Sequence, residues 1–392
     1  MLLILDSTET TIVFETIPIL NIYALDCILI VLTGLLSISS AELIIKYYPY
    51  KVKKKKQSFY KLKNYSIFFI TSLLVILINL TLVLGNLTGF GNDGVNLNAS
   101  FLVQIINILS DIFLVSIAYF KFFKVYPKKN INFLTYICLS ISLFLGFLSG
   151  MKENVIVPII LVLVPYFLAG NKPKLKQILI PIVLLVFLYP LNNNYRTALS
   201  IYNSKPAAFY AAVNQTFSSE IFDKKEDEHS LTGRFQGFLP FLYGASIEEE
   251  WKSFKYLNRY IYLPFAWFAP RFILPGKPTS TAGTELYRIV RDTDVDNVSI
   301  TPTTYGWSYL EGGYIPLFMS FLIYALIICA LERKLYLTNL VGVVTYTILL
   351  TSMIKIESDI YFRINSILQL LFIVFLFKKA FLIKLKVIKN VN

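Results

Sequence analysis

Histidine is almost missing from this chain: His229 is the only one in 392 residues. A metal site built from histidines is therefore excluded, and His229 itself lies in the polar stretch "KKEDEHS", where a solvent-exposed role is expected. There are three cysteines, Cys27, Cys138 and Cys329. All fall inside apolar runs, so neither a disulfide framework nor a metal-type spacing is present. Charged residues make up 16% of the chain, well below the roughly 25% of a soluble domain. There is no P-loop and no dinucleotide fingerprint, so nothing in the chain is built to take ATP or a nucleotide cofactor. Nor are there paired sequence halves of the transporter kind, or the short alternating segments of a β-barrel. The start "MLLILDSTETT" has no basic leading region, and no cleavable signal peptide is expected.

What is abundant is apolar. The hydrophobic fraction is 56%, with 32 Phe and 26 Tyr, and apolar runs of about 20 residues recur, long enough to cross a bilayer. The expected fold is an all-α polytopic membrane protein of about nine transmembrane helices. The spans are read at 20–45, 65–84, 101–120, 132–150, 154–169, 177–191, 313–331, 336–354 and 364–382. The formal net charge of +13 is not a nucleic-acid footprint here. The lysines gather in short loops such as "KYYPYKVKKKKQSFYKLK", "KFFKVYPKKN" and "NKPKLK", and in the tail "KKAFLIKLKVIKNVN". By the positive-inside rule these loops are cytoplasmic. The Lys- and Arg-free loop "GNLTGFGNDGVNLNAS" then lies outside, as does the N-terminus, and the protein belongs in the cytoplasmic (inner) membrane.

The alternation breaks once. Between spans 6 and 7, residues 192–305 carry no clean span and form one large extracytoplasmic (periplasmic) loop, a length that is usually functional. The expected organisation is an N-terminal bundle over 1–191, the loop over 192–305 and a C-terminal bundle over 306–392. Outside the cell neither ATP nor nucleotide sugars are at hand, so any chemistry in the loop must use a substrate already activated and carried on a lipid.

The loop holds Arg196, Arg234, Arg259, Arg271, Lys277, Arg288 and Arg291, and two outer hairpins add Lys152 and Arg363. Arginine offers a planar fork to phosphate oxygens and lysine a point charge. Arg271 and Lys277 stand out in "APRFILPGKPTSTAG", where Pro270, Pro275 and Pro278 restrict the backbone around them. For any one of these cations an ordinary solvated charge is the plainer alternative, and snorkelling to the interface is the alternative for Lys152 and Arg363. Among the carboxylates, Glu285, Asp292, Asp294, Asp296, Glu357 and Asp359 sit in polar stretches, and "RDTDVDN" lacks the glycine and glutamate of a calcium loop. Glu311, in "TTYGWSYLEGGYIP", lies where the loop re-enters the membrane. It is either a partly desolvated base for a sugar hydroxyl or the partner of an arginine. Asp26 and Asp111 lie inside apolar runs and are open to either a wet interfacial or a functional reading. Tyr262, Trp267 and Trp307 offer ring faces that can stack on sugars or simply anchor the interface.

"APRFILPGKPTSTAG", followed by "SITPTTYGWSYLEGGYIPLFMSFLIYAL", resembles the O-antigen polymerase (Wzy-type) family of oligosaccharide repeat unit polymerases. Arg271, Lys277-Pro278 and Thr301-Pro302 match its late-loop pattern in kind and order. "SGMKENVIVPIILVL" resembles its basic hairpin, with Lys152 where the family usually has Arg, and "DIYFRIN" resembles its late basic residue, Arg363. The chain departs from the family at Gly306 to Gly313, where the acid is displaced. The resemblance implies a membrane glycosyltransferase that needs no cofactor or metal. Its substrates would be glycans linked to undecaprenyl diphosphate, within the lipid of the membrane. Arg271, Lys277 and Glu311 would be catalytic, and Lys152, Arg234, Arg363, Arg196, Tyr262 and Trp307 would bind substrate. A chain-length regulator protein is an implied partner. An O-antigen ligase or another lipid-linked glycosyltransferase remains an alternative, as does a flippase of lipid-linked oligosaccharides. The polysaccharide made would be O-antigen (lipopolysaccharide), capsule or exopolysaccharide.

Overall fold

A computed structural model describes residues 3–5, 12–14, 17–47, 60–85, 97–126, 128–150, 152–172, 191–192, 194–199, 201–202, 204–217, 303–310, 312–354 and 360–384. These residues are mostly helical: α1 (Ile17–Tyr47), α2 (Tyr65–Leu84), α3 (Leu97–Phe122), α4 (Lys128–Leu148), α5 (Lys152–Leu168), α6 (Lys205–Phe217), α7 (Thr303–Leu310), α8 (Tyr314–Lys334), α9 (Leu340–Ile354) and α10 (Ile360–Phe381). Two short antiparallel ribbons complete the set, β1 (Leu3–Leu5) with β2 (Ile12–Phe14), and β3 (Tyr60–Leu62) with β4 (Leu382–Lys384).

Among the described residues, five segments are long and apolar enough to cross a membrane: Ile28–Tyr47, Tyr65–Leu84, Leu102–Phe122, Asn130–Leu148 and Tyr314–Lys334. Asn154–Leu168 and Leu340–Met353 are shorter apolar helices. Of the expected span at 177–191, residues 177–190 lie outside the described residues. α2 shows why the local sequence folds as it does. Asn64 cannot continue the helix backward, and its side-chain oxygen accepts the Ile67 amide at 3.1 Å. Twenty mostly apolar and uncharged residues follow, about 30 Å of helix and thus one hydrocarbon thickness. The Gly85 amide closes the far end on the Thr81 carbonyl at 2.8 Å. α3 begins earlier than the apolar run suggests, at Leu97, inside the stretch "GNLTGFGNDGVNLNAS" but past its last glycine, Gly94, the residue type that most resists a helix there.

The chain divides into two compact units. One comprises Met1–Lys51, Lys224–Arg333 and Ile356–Asn365; the other comprises Val52–Asp223, Lys334–Lys355 and Ser366–Asn392.

In the second unit α3 is the central element. Every residue from Ile112 to Phe120 is buried, the mark of a helix covered on all sides. Phe68 of α2 meets Phe113 at 5.3 Å and Phe120 at 5.5 Å, and Phe113 in turn meets Phe377 of α10 at 5.5 Å. Such tilted and edge-on ring pairs add specificity to the area they bury. Around this centre α2 turns Ile67, Ile70 and Leu74 outward; in a membrane those residues face lipid. α4 and α5 form a tight hairpin. The Asn154 side chain donates to Ser149 Oγ at 3.0 Å, and Ser149 Oγ donates to the Gly146 carbonyl at 2.7 Å. Gly146 is required there, since a Cβ would run into the backbone carbonyl of Asn154.

In the first unit, α1 and α7 pack together. The Ser37 hydroxyl on α1 donates to the Phe318 carbonyl of α8 at 2.6 Å. The amides of Gly312 and Gly313 both donate to the Tyr309 carbonyl, at 3.1 and 2.6 Å, which turns the chain from α7 into α8.

The hairpin gives a first prediction. Gly146→Ala must push α5 away from α4 and should cost about 1–3 kcal/mol, read as a lower thermal midpoint of the purified chain in detergent. An unchanged midpoint would refute the close approach.

Candidate functional site

The residues named from the sequence separate into three groups. Arg271, Lys277, Glu311, Arg234 and Tyr262 lie outside the described residues, as do Trp267 and His229. Lys152 and Arg196 belong to one unit; Trp307 and Arg363 belong to the other.

In the unit with Arg363, the short helix α7 comes just before α8 in the chain. It starts under strain. Thr303 has φ 64°, a left-handed conformation that costs a β-branched residue about 1–3 kcal/mol. Its side-chain oxygen accepts the Gly306 amide at 3.5 Å. The next residue, Thr304, is 2% exposed and takes a hydrogen bond from Nη2 of Arg363 at 2.6 Å. Arg363 itself is only 8% exposed. Its guanidinium carbon stands 5.9 Å from the centre of the Tyr324 ring, close enough for cation–π attraction. The Tyr324 hydroxyl is buried and has no hydrogen-bond partner among the described residues.

Tyr305 packs beside this group. Its ring stacks on Phe321 with centroids 4.6 Å apart, and it lies over Gly34 of α1, where a Cβ would come within 2.5 Å of its Cε1. Burial pushes the Tyr305 phenol above its ordinary range, with the nearby Arg363 charge pulling the other way. Trp307 and Ser308 are buried on the same helix, and the Ser308 hydroxyl donates to the Thr304 carbonyl at 3.0 Å. The chemistry assembled here is one permanent cation, two phenols and two threonine hydroxyls in a low-dielectric setting. A planar guanidinium in such a place suits phosphate-type oxygens.

In the other unit, Tyr195 and Lys205 are fastened to helix ends. Lys205, the first residue of α6, is 3% exposed, and its ammonium donates to the Val83 carbonyl in the last turn of α2. That cation completes the negative end of the α2 dipole. Burial pushes the Lys205 ammonium below the ordinary lysine range. The Tyr195 hydroxyl donates to the Leu148 carbonyl at the end of α4 at 3.1 Å. Burial raises this phenol to about 12. Asn194 donates to Thr216 Oγ1 of α6 at 2.9 Å. Beneath these polar fastenings lies an apolar cluster that includes Val83, Leu148, Val155, Tyr195 and Ala208. Arg196, half-buried, follows Tyr195 directly, and Lys152 is the first residue of α5, across the hairpin from Leu148. Asn192 is 2% exposed, and neither its amide nitrogen nor its oxygen has a partner among the described residues.

Thr304, Tyr305, Tyr324, Lys205 and Asn192 were not singled out by sequence. Tyr324 had a signal, a phenol in the middle of "FLIYALI" where an apolar side chain would be cheaper. Lys205 is followed by Pro206 at the second helical position and then by a small-residue run, a helix start rather than a loose loop. The described residues contain no group of three or more His, Cys, Asp and Glu able to hold a metal ion.

Removing the acceptor of Arg363 is the direct probe of its seat. Thr304→Val keeps the shape and leaves a buried N–H without that oxygen, a loss of about 1–3 kcal/mol. Thr304→Ser should stay near wild type. Thermal midpoints that are equal for the two variants would show that the hydrogen bond does not hold Arg363.

No curated protein matches the chain, and no solved structure does. A family model described as a domain of unknown function, DUF8712, matches residues 22–390. The chain belongs to that family.

Proposed function

We propose that this chain polymerises oligosaccharide repeat units linked to undecaprenyl diphosphate into a surface polysaccharide, on the outer face of the cytoplasmic membrane. One observation carries the reading further than the sequence resemblance alone. Arg363, the late basic residue of "DIYFRIN", is buried and hydrogen-bonded to Thr304, in the helix that follows Thr301-Pro302. Two pieces of the resemblance that lie 59 residues apart thus meet at a desolvated cation.

In the proposed reaction the acceptor hydroxyl oxygen, at the non-reducing end of one lipid-linked unit, attacks the anomeric carbon of the growing chain. The bond from that carbon to the diphosphate oxygen breaks, and its electron pair leaves with the lipid diphosphate. A carboxylate takes the acceptor proton, and Glu311 is the residue proposed for it. Charge grows on the diphosphate as it departs. Cations fixed around it therefore bind the transition state more strongly than the ground state, which is where rate comes from. Arg363 is proposed for this work, with Arg271 and Lys277 of the loop. Lys152, Arg196 and Arg234 would hold phosphate or sugar, and Tyr262 and Trp307 would shape the glycan side. No step requires a metal, since fixed cations neutralise the leaving group.

The test is the polysaccharide ladder of a host lacking this gene. Wild type should restore long polymer and the deletion should leave single repeat units. Arg363→Ala should cut polymer by about 10²-fold, the scale for losing one fixed charge-stabilising donor, with Arg363→Lys intermediate. If the deletion leaves the ladder unchanged, the proposal fails. If full-length polymer persists on its lipid carrier without reaching a final acceptor, the reaction is ligation.

A further inference from the structure

The ribbon β3–β4 gathers cations with no carboxylates to answer them. Its register sets Tyr60 opposite Lys384, Lys61 opposite Ile383 and Leu62 opposite Leu382. Leu62 and Leu382 are 5% and 6% exposed and face inward together. The Leu62 amide is held by the Tyr126 hydroxyl at 3.3 Å. The ribbon is extended by the Lys63 amide, which donates to the Phe381 carbonyl at 2.8 Å.

That scaffold brings five lysines from two distant parts of the chain into one place. The Lys63 ammonium donates to the Lys379 carbonyl at 2.5 Å, in the last turn of α10. Lys378 Nζ stands 5.0 Å from the Tyr60 ring centre, and Lys379 Nζ 4.7 Å from that of Phe375. Lys61, Lys63, Lys379 and Lys384 are exposed and Lys378 is half-buried. No acidic residue occurs anywhere in 43–92 or in 360–392, and none of the five has a carboxylate partner among the described residues. Five like charges held this close repel one another unless an anion joins them.

The neighbours of these lysines say what kind of anion. On α10, Phe372, Phe375 and Leu376 are exposed, and Ile383 on the ribbon is 50% exposed. Phe372 and Lys379 are seven residues apart, about 10 Å along a helix. An apolar band that gives way to ammonium groups over that distance matches the step from acyl chains to headgroups. A nucleic acid or an acidic peptide would find lysines but would leave the phenylalanines without a partner.

We infer that the β3–β4 ribbon and the end of α10 form a binding site for the phosphate headgroups of anionic phospholipids, in the leaflet on the side of the lysine-rich loop. The site shares no residue with the Arg363 group and does not rest on the polymerase reading. It fixes the depth of α10 by holding headgroup phosphates at its last turn.

The test uses the full chain, delipidated in neutral detergent, titrated with phosphatidylglycerol or phosphatidylcholine and read by thermal midpoint. Phosphatidylglycerol should stabilise at lower concentration than phosphatidylcholine. Lysine near an anionic surface contributes about five-fold each, so the triple variant K61Q/K378Q/K384Q should need about a hundred-fold more phosphatidylglycerol for the same shift. K61R/K378R/K384R should keep wild-type behaviour. On the wild-type chain alone, raising salt from about 0.1 M to about 0.5 M should shrink the phosphatidylglycerol advantage. The inference is overturned if the two lipids act alike on wild type, or if salt leaves the advantage intact. It is equally overturned if the Gln variant keeps the advantage, since the headgroups would then be held elsewhere.

Discussion

Hydrocarbon offers no water to a backbone carbonyl, so every helix end in a chain this apolar needs another partner. The second unit meets that constraint repeatedly in the same way. The last turn of α2 is closed by the ammonium of Lys205, the end of α4 by the hydroxyl of Tyr195, and the last turn of α10 by the ammonium of Lys63. Each donor comes from far along the chain. The fold is thus pinned where helices stop, and two of the three donors are cations placed at the negative end of a helix dipole. The apolar middles need no such help: α3 is buried through Ile112–Phe120, and rings from α2 and α10 pack around Phe113.

The same scarcity of water gives the Arg363 group its character. A guanidinium at 8% exposure is worth far more to an anion than one on a wet surface, because little solvent competes with it. Its seat is prepared by a strained residue, Thr303, and by the Thr304 hydroxyl that accepts from it. Gly34 on α1 makes room for the Tyr305 ring alongside. These are features of a preorganised site, in which strain and close packing hold a charged group in one geometry. They support the proposed handling of a lipid diphosphate, and they would serve recognition of such a group equally in either direction of transfer.

Much of the helical layout was legible because it depends on local composition. The apolar run at 65–84 coincides with α2, and its Asn64 and Gly85 borders are visible as cap residues. "SGMKENV" was legible as a tight hairpin, and it is one. The position of Arg363 was legible only through resemblance, and its partner was not legible at all: nothing local in "TPTTYG" points to a residue 59 positions further on. Lys205 was passed over because a lysine near the start of a polar loop reads as solvated, whereas burial against the end of α2 is a long-range fact. The ribbon β3–β4 escaped notice for the same reason. "YKL" and "LIK" look like the edges of basic loops, and only their pairing brings lysines from two distant stretches onto one surface.

The central claim is that the chain itself joins lipid-linked repeat units. The most direct measurement is to reconstitute the purified chain into liposomes with a defined repeat unit on undecaprenyl diphosphate and nothing else. The account predicts products of two and more repeats, with one equivalent of undecaprenyl diphosphate released for each bond made and no need for nucleotide or metal. Repeat units that cross the bilayer unextended, or that stay single while the lipid diphosphate remains attached, would contradict it.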